Sequence, residues 1–438
     1  MKRIIFSLVM VATLLTGCYK DDINDLRKDL EELRKEQERQ AQLLVDYETL
    51  LKAFQDRLTV TGVTETADGF EVTFSDGSTK KLAQTSIVRV VEEGGTITFY
   101  MSDGSTITMN QTETVGLWVL SEGGFGSGNG QLVYYSLDIA TNRFVRDNER
   151  RFTNFGETPN DLMIYGSKMY ATITGTEAGG IVRVLNPITG ETIRDIVLSK
   201  ESVNQQPRRL AAANGNVFVT LYSGAVAQID TTSFTNQVIG LTGTFSEGIA
   251  VQGQSLFIAN SGQGEGNTVS VVDIPTFTET RVLEVPYNPT NIVSTSTGEL
   301  FLNTAAVWMG PAAGAPANVH VLNAATGQIT QTLNTQVESI AAGRNFVYGA
   351  FFDWNTFGGS IKQISIANKV VSDFTSSANV SSLMFPYKVS VNPITNEVFV
   401  TQQMGQAVAR YSENGTLIET LQVGQQNGAV VAFVNIVR

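Results

Sequence analysis

Side chains able to hold or react with a ligand gather in a few stretches of this 438-residue chain. The connections 122–130, 260–267, 304–316 and 350–359, together with shorter ones, carry Phe125, Tyr222, Trp308, Phe351, Phe352, Trp354 and Phe357. Tyr287 and Tyr387 stand on neighbouring connections. Rings with a large apolar body suit capture of a sugar, a peptide or a planar cofactor; packing of the loops onto themselves would use the same rings. A second set is polar. Asn160, Arg208, Glu247, Thr290, Glu338, Tyr387 and Asn427 fall at equivalent places in recurring segments, with Asp161, Arg209, Asn291 and Lys388 next to them. Apolar walls plus a few directed polar groups make a ligand pocket, although a water-filled channel would also be polar. The expected ligand-binding residues are Phe125, Asn160, Arg208, Tyr222, Glu247, Tyr287, Trp308, Phe351, Asp353, Trp354 and Tyr387.

Catalysis has less to draw on. His320 is the one histidine and Cys18 the one cysteine, so neither a histidine-based triad nor a disulfide is expected. Glu122, Asp161, Glu177, Glu247, Glu265 and Asp353 come from separate segments and could still meet in space. The glycine-rich run 122–130 lacks the lysine of a phosphate-binding loop. No enzymatic activity, cofactor or metal is expected. With 30 basic against 42 acidic residues the net charge is −12, which repels a nucleic-acid backbone.

The elements that must position these residues repeat. Leu117-Trp118-Val119-Leu120, Met169-Tyr170-Ala171-Thr172, Val217-Phe218-Val219-Thr220, Leu256-Phe257-Ile258-Ala259, Leu300-Phe301-Leu302-Asn303, Phe346-Val347-Tyr348-Gly349 and Val398-Phe399-Val400-Thr401 start 52, 48, 39, 44, 46 and 52 residues apart. That period fits one four-stranded blade each. The fold expected is mainly β, a seven-bladed β-propeller over 115–438. Its first blade lacks an opening strand, which 429–434 can supply from the other end, so that no open seam remains.

Strands such as Val217-Phe-Val-Thr and Val398-Phe-Val-Thr, followed by Asp-x-x-Thr turns, resemble the YVTN/YncE-like seven-bladed propellers. BtuG-type propellers of Bacteroidota are similar surface lipoproteins. That resemblance implies capture of a corrinoid or similar nutrient, handed to a TonB-dependent transporter. The ligand could equally be another small molecule, a glycan or a protein, and the alternative is a stalked adhesion or surface-layer-like protein.

Ahead of the repeats, Lys2 and Arg3 precede the apolar run 4–15 and Leu15-Thr16-Gly17-Cys18. This reads as a signal peptide over 1–17. The last four residues resemble the bacterial lipobox, implying acylation of Cys18 and anchorage in outer-membrane lipid. Within 18–22, Lys20-Asp21-Asp22 resembles the export signal of Bacteroidota lipoproteins, which implies a position facing the cell exterior. From Ile23 to Leu58 apolar residues and two glutamines follow alternating spacings of 3 and 4, an a/d seam that predicts a coiled-coil stalk over 23–58 and a homo-oligomer, the alternative being a monomeric amphipathic helix docked on its own domain. Asp29 at g and Arg34 at e suit parallel neighbours. Residues 59–111 carry two Ser-Asp-Gly-Ser-Thr copies, which predict tight hairpin turns at Asp76-Gly77 and Asp103-Gly104.

Overall fold

The computed structural model describes residues 20–55, 59–74, 78–93, 96–110, 112–175, 180–200, 203–204, 206–310, 312–353, 358–376, 385–425 and 428–437. The expected signal peptide, Cys18, Asp76-Gly77, Glu177, Trp354, Phe357 and Asn427 lie outside them. The chain divides into two compact units, one of residues 1–112 with 437–438 and one of residues 113–436.

The first unit begins with the helix Lys20–Gln55, rich in Leu, Glu, Lys, Arg and Gln and free of Gly and Pro. At 1.5 Å per residue its 36 residues extend about 54 Å. It is not apolar enough to cross a membrane. Its C-terminal end packs on two three-stranded antiparallel sheets, one of Val60–Thr66, Gly69–Phe74 and Thr79–Ala83, the other of Ile87–Glu93, Thr96–Met101 and Thr106–Asn110. The second sheet contains the expected hairpin, Thr96–Met101 with Thr106–Asn110, and adds Ile87–Glu93. The Asp103-Gly104 turn forms as its chemistry requires, with Gly104 at φ 85° and the Asp103 carboxylate accepting from Ser105 N at 2.9 Å and Oγ at 2.6 Å.

The helix over the expected stalk meets the sheets along part of its length. Over the last turns the helix buries Leu50 and Ala53 against the sheets, with Leu43 and Tyr47 beside them. Buried Asp46 accepts from Ala83 N at 2.8 Å. Leu44 and Leu51 of the expected seam stay 60% and 43% exposed, as do Leu30 and Leu33 at 60% and 71%. Two apolar stripes run side by side here. The sheets take Leu43 and Leu50 together with Tyr47 of the expected seam, and leave Leu44 and Leu51 of that seam exposed.

The second unit contains, among the described residues, seven four-stranded antiparallel sheets in chain order. Six are continuous meanders. In the seventh, the C-terminal strand Gly428–Val437 lies beside Thr112–Ser121, followed by Gln131–Asp138 and Arg143–Thr153. The repeat aromatics Trp118, Tyr170, Phe218, Phe257, Phe301, Tyr348 and Phe399 are all fully or almost fully buried. Each sheet is apolar on both faces because each faces two neighbours. One apolar cluster joins Trp118 and Leu132 to Met169 and Ile181, and others continue from sheet to sheet. Another joins Phe399, Val408 and Leu421 of the sheet before the last strand back to Leu117, Val133 and Phe144.

That last junction is also ionic. Arg410, 2% exposed, meets Glu397 at 2.7 Å and Glu419 at 2.7 Å, and donates to the Asn142 carbonyl at 2.9 Å across the junction.

Candidate functional site

The first strands of the sheets carry the polar residues singled out by alignment, and a shared irregularity aims them. In the ladder between Pro207–Ala213 and Asn216–Leu221, Pro207 pairs with Leu221 and Leu210 with Val219. Arg208 and Arg209 together therefore oppose Thr220. Between Ser246–Gln252 and Ser255–Asn260, Glu247 and Gly248 oppose Ala259 in the same way. In Pro386–Val391 it is Tyr387 and Lys388 that oppose Thr401. Asn160 and Thr290 are the extra residues of Glu157–Tyr165 and Pro289–Ser294. A β-bulge of this kind frees a residue from the ladder and redirects its side chain.

Threonines of the repeat hold these bulges. Thr220 Oγ1 accepts from Arg209 N at 3.0 Å and donates to the Glu247 carbonyl of the next sheet at 2.7 Å. Thr401 accepts from Lys388 N at 3.1 Å and donates to the Gly428 carbonyl at 2.7 Å. Thr172 donates to the Arg208 carbonyl at 3.0 Å. Close approach is needed as well: a Cβ on Gly248 would lie 2.7 Å from Asn291 Cα.

A narrow cavity of 150 Å³ is lined by Asp161, Leu210, Ile249, Ile292, Ile340, Val389 and Val430, one from the first strand of each of the seven sheets, with Arg209, Asn291 and Lys388. Those last three also line a larger cavity of 510 Å³. Arg208, Glu247, Glu338 and Tyr387 complete its polar side, and Trp308, Phe351, Phe352, Val337, Ala305 and Ala317 its apolar side. Trp308 is 82% exposed.

Most charges here are partnered within the protein. Arg208 meets Glu247 at 3.2 Å, donates to Asn160 Oδ1, and lies 4.2 Å from the centroid of the Tyr222 ring. Arg209 donates to the Asn160 carbonyl at 2.5 Å. Asp161 accepts from Leu210 N at 2.8 Å; burial pushes its carboxyl above the ordinary value although Arg209 opposes this. The Tyr387 hydroxyl donates to Glu122 at 3.4 Å, and burial, then Glu122, raises its pKa. Burial, then Glu247, raises that of Tyr222 to about 12.

Lys388 differs. Its Nζ stands 4.4 Å from the Tyr387 ring centroid and has no hydrogen bond or ion pair among the described residues. Burial, reinforced by Arg209, pushes its pKa down to about 7. The Glu338 carboxyl has no hydrogen bond among the described residues either, and burial raises its pKa while Lys388 draws it down.

Of the expected ligand-binding residues, Arg208, Glu247, Trp308, Phe351 and Tyr387 line the larger cavity, with Asn160 and Tyr222 packed against Arg208. Phe125 is 91% exposed and Tyr287 40%, and neither lines it. Asp353 ends the strand Phe346–Asp353; Trp354 lies outside the described residues. Glu338 was in the aligned ring and Lys388 beside it, but neither gave a signal that set it above its neighbours. Gln336, Ala305, Ala306 and Ala317 carried no signal in the sequence. His320 is buried in its strand, 3.0 Å from Thr332 Oγ1 and 3.3 Å from Thr304 Oγ1, and burial lowers its pKa. Among the described residues no three of His, Cys, Asp and Glu cluster to hold a metal ion.

The family model described as a domain of unknown function, DUF5074, matches residues 115–428. No curated protein matched the chain. Among solved structures, a candidate 6-phosphogluconolactonase from Bacteroides uniformis is similar with a TM-score of 0.56 at 13% identity, covering 73% of this chain and 100% of that one. Hydrazine synthase of Kuenenia stuttgartiensis gives 0.52 at 14% identity, covering 61% and 87%. The Pan2 WD40 domain of Neurospora crassa gives 0.46 at 10% identity, covering 63% and 79%. The fold is β-propeller-like, and the likeness concerns fold alone.

Proposed function

Because the chain belongs to the DUF5074 family, we propose a function for a family whose description supplies none: capture of a small ligand in the 510 Å³ cavity of a seven-bladed propeller, by a lipoprotein anchored through acylated Cys18 at the cell exterior. The cavity is the observation that carries this reading. Its lining combines aromatic and apolar side chains with fixed charges, and its size suits a small ligand. Trp308 is a large ring kept in solvent at its mouth, where an apolar ligand face would cover it. The seven-bladed reading rests on the seven sheets and on the apolar cluster joining last to first. A binding rather than catalytic role suits a cavity whose arginines and Glu247 are already engaged with one another. Delivery to an outer-membrane transporter, with a corrinoid as one ligand, follows from the resemblance to BtuG-type propellers.

The test is a thermal-shift screen of the full mature chain against cobalamin, haem, glycans and peptides, repeated with Trp308→Ala. A ligand that raises the melting temperature of the parent and loses affinity at least tenfold in Trp308→Ala supports the site. Equal affinity in the two proteins rejects it.

The helix supports a second reading, self-association. Leu30, Leu33, Leu44 and Leu51 at a and d positions are exposed while another stripe of the same helix is covered. In a parallel pair Asp29 would face Arg34 of the second copy, whereas antiparallel pairing would set like charges together.

A further inference from the structure

The ligand's chemistry can be read from what the cavity leaves unpaired. Resting on the capture reading, we propose that the polar end of the ligand carries an anionic oxygen, carboxylate or phosphate, that seats on Lys388 Nζ, with a hydrogen-bond donor beside it that reaches Glu338. The flat apolar part then lies against Trp308, Phe351 and Phe352.

The argument is one of elimination among charges that share the cavity. Arg208 is engaged by Glu247 and Asn160 and Arg209 by the Asn160 carbonyl, while Glu122, outside the lining, is engaged by the Tyr387 hydroxyl. Lys388 and Glu338 both line the cavity, yet neither side chain has a hydrogen bond among the described residues and the two do not form an ion pair. An ammonium set in a cavity wall without an acceptor is unfavourable unless an anion reaches it. The Lys388 backbone N–H is held by Thr401 within the bulge, which fixes where the side chain leaves the strand. Arg209 adds positive potential from the neighbouring wall, which opposes protonation of Lys388 when the cavity is empty and attracts an anion into it. The groups that set this balance are Arg208, Arg209, Glu122, Asp161, Glu247, Tyr387 and Glu338, and an added negative charge among them favours the ammonium form. Anion binding and proton uptake by Lys388 are therefore linked.

The experiment uses the full mature chain, reductively methylated with ¹³C-formaldehyde, which leaves each amine able to carry its charge. The Lys388 resonance is assigned by its loss in Lys388→Met. Its titration midpoint is read in chloride, in acetate and in inorganic phosphate at one ionic strength. The expected result is a midpoint near 7 in chloride that rises by at least half a unit in one of the two other salts, with the remaining lysines unmoved. The salt giving the larger rise identifies carboxylate or phosphate as the group. A midpoint that stays put in both salts, or one already near that of a free lysine, overturns the proposal. If Lys388 escapes methylation, the thermal midpoint at pH 6.5 decides: acetate or phosphate stabilises the parent and not Lys388→Met, and equal responses overturn it. Should the midpoint respond while Trp308→Ala leaves every screened ligand's affinity unchanged, the anion subsite stands and the aromatic capture reading falls. The converse pattern removes the subsite and keeps capture.

Discussion

Replacing Lys388 by Met keeps most of the side chain's length and deletes its charge, and the structure fixes the sign of the result. An ordinary lysine titrates at 10.5 and Lys388 at about 7. Between those values the unfolded chain holds a proton that the folded chain lacks, so folding stability rises with pH across that window. Below about pH 7 the folded state carries the full cost of an ammonium without an acceptor. At 1.36 kcal/mol per unit the shift sets an upper bound of about 5 kcal/mol. Channel water reaches the amine in part, which lowers the expected gain for Lys388→Met to about 2 kcal/mol at pH 6, shrinking to under about 0.5 kcal/mol at pH 10.5. Urea unfolding of both proteins at pH 6, 8 and 10.5, followed by tryptophan fluorescence, measures the difference directly. The slope with denaturant should be the same in both, since the fold and its buried area are unchanged. If Lys388→Met is less stable at pH 6, or if the difference does not vary with pH, the amine is not the uncompensated charge that its surroundings imply.

Arg410→Leu leaves Glu397 and Glu419 facing an apolar side chain at the junction between the last and first sheets, and should cost about 3–5 kcal/mol; a loss under about 1 kcal/mol in urea unfolding would refute the role given to this cluster. Thr220→Val removes the acceptor of Arg209 N and the donor to the Glu247 carbonyl, with an expected loss of about 1–3 kcal/mol; unchanged stability would mean that the bulge holds itself. For the helix, Leu30→Glu with Leu33→Glu should convert an oligomer of the mature chain to a monomer in sedimentation equilibrium without lowering its melting temperature below that of the isolated second unit's transition. A parent that is already monomeric at tens of micromolar refutes self-association.

The repeat was legible because its signal is redundant. Seven copies of an apolar strand with a buried aromatic need no single residue to be informative, and Trp118, Phe218 and Phe399 occupy the same environment in different sheets. The C-terminal strand was legible for a related reason: one copy lacked its opening strand and one strand was left over. The helix was harder. Leu43 and Leu50 lie beside the seam residues Leu44, Tyr47 and Leu51 on one surface, and periodicity finds them all without saying which ones the β-sheets of the same unit will cover. That choice is made by the shape of the sheets, which no period records.

The site stands between these cases. Alignment of the opening strands put Asn160, Arg208, Glu247, Thr290 and Tyr387 at one level, and the structure gives the cause, since each sits where its strand slips register against the next. What alignment could not rank is which of those side chains the protein uses up. Arg208 and Lys388 look alike in a sequence, as two cations on equivalent bulges. They differ because Glu247 of the adjacent sheet comes within reach of Arg208, while no carboxylate among the described residues comes within ion-pair distance of Lys388. The distinction depends on contacts between sheets some 40 residues apart in the chain, at positions that the ladder leaves free to vary. A scaffold of this kind can therefore keep its sheets and exchange its ligand by changing the residue at a bulge, because the bonds that Thr172 and Thr220 make there go to main-chain carbonyls, which any side chain leaves in place.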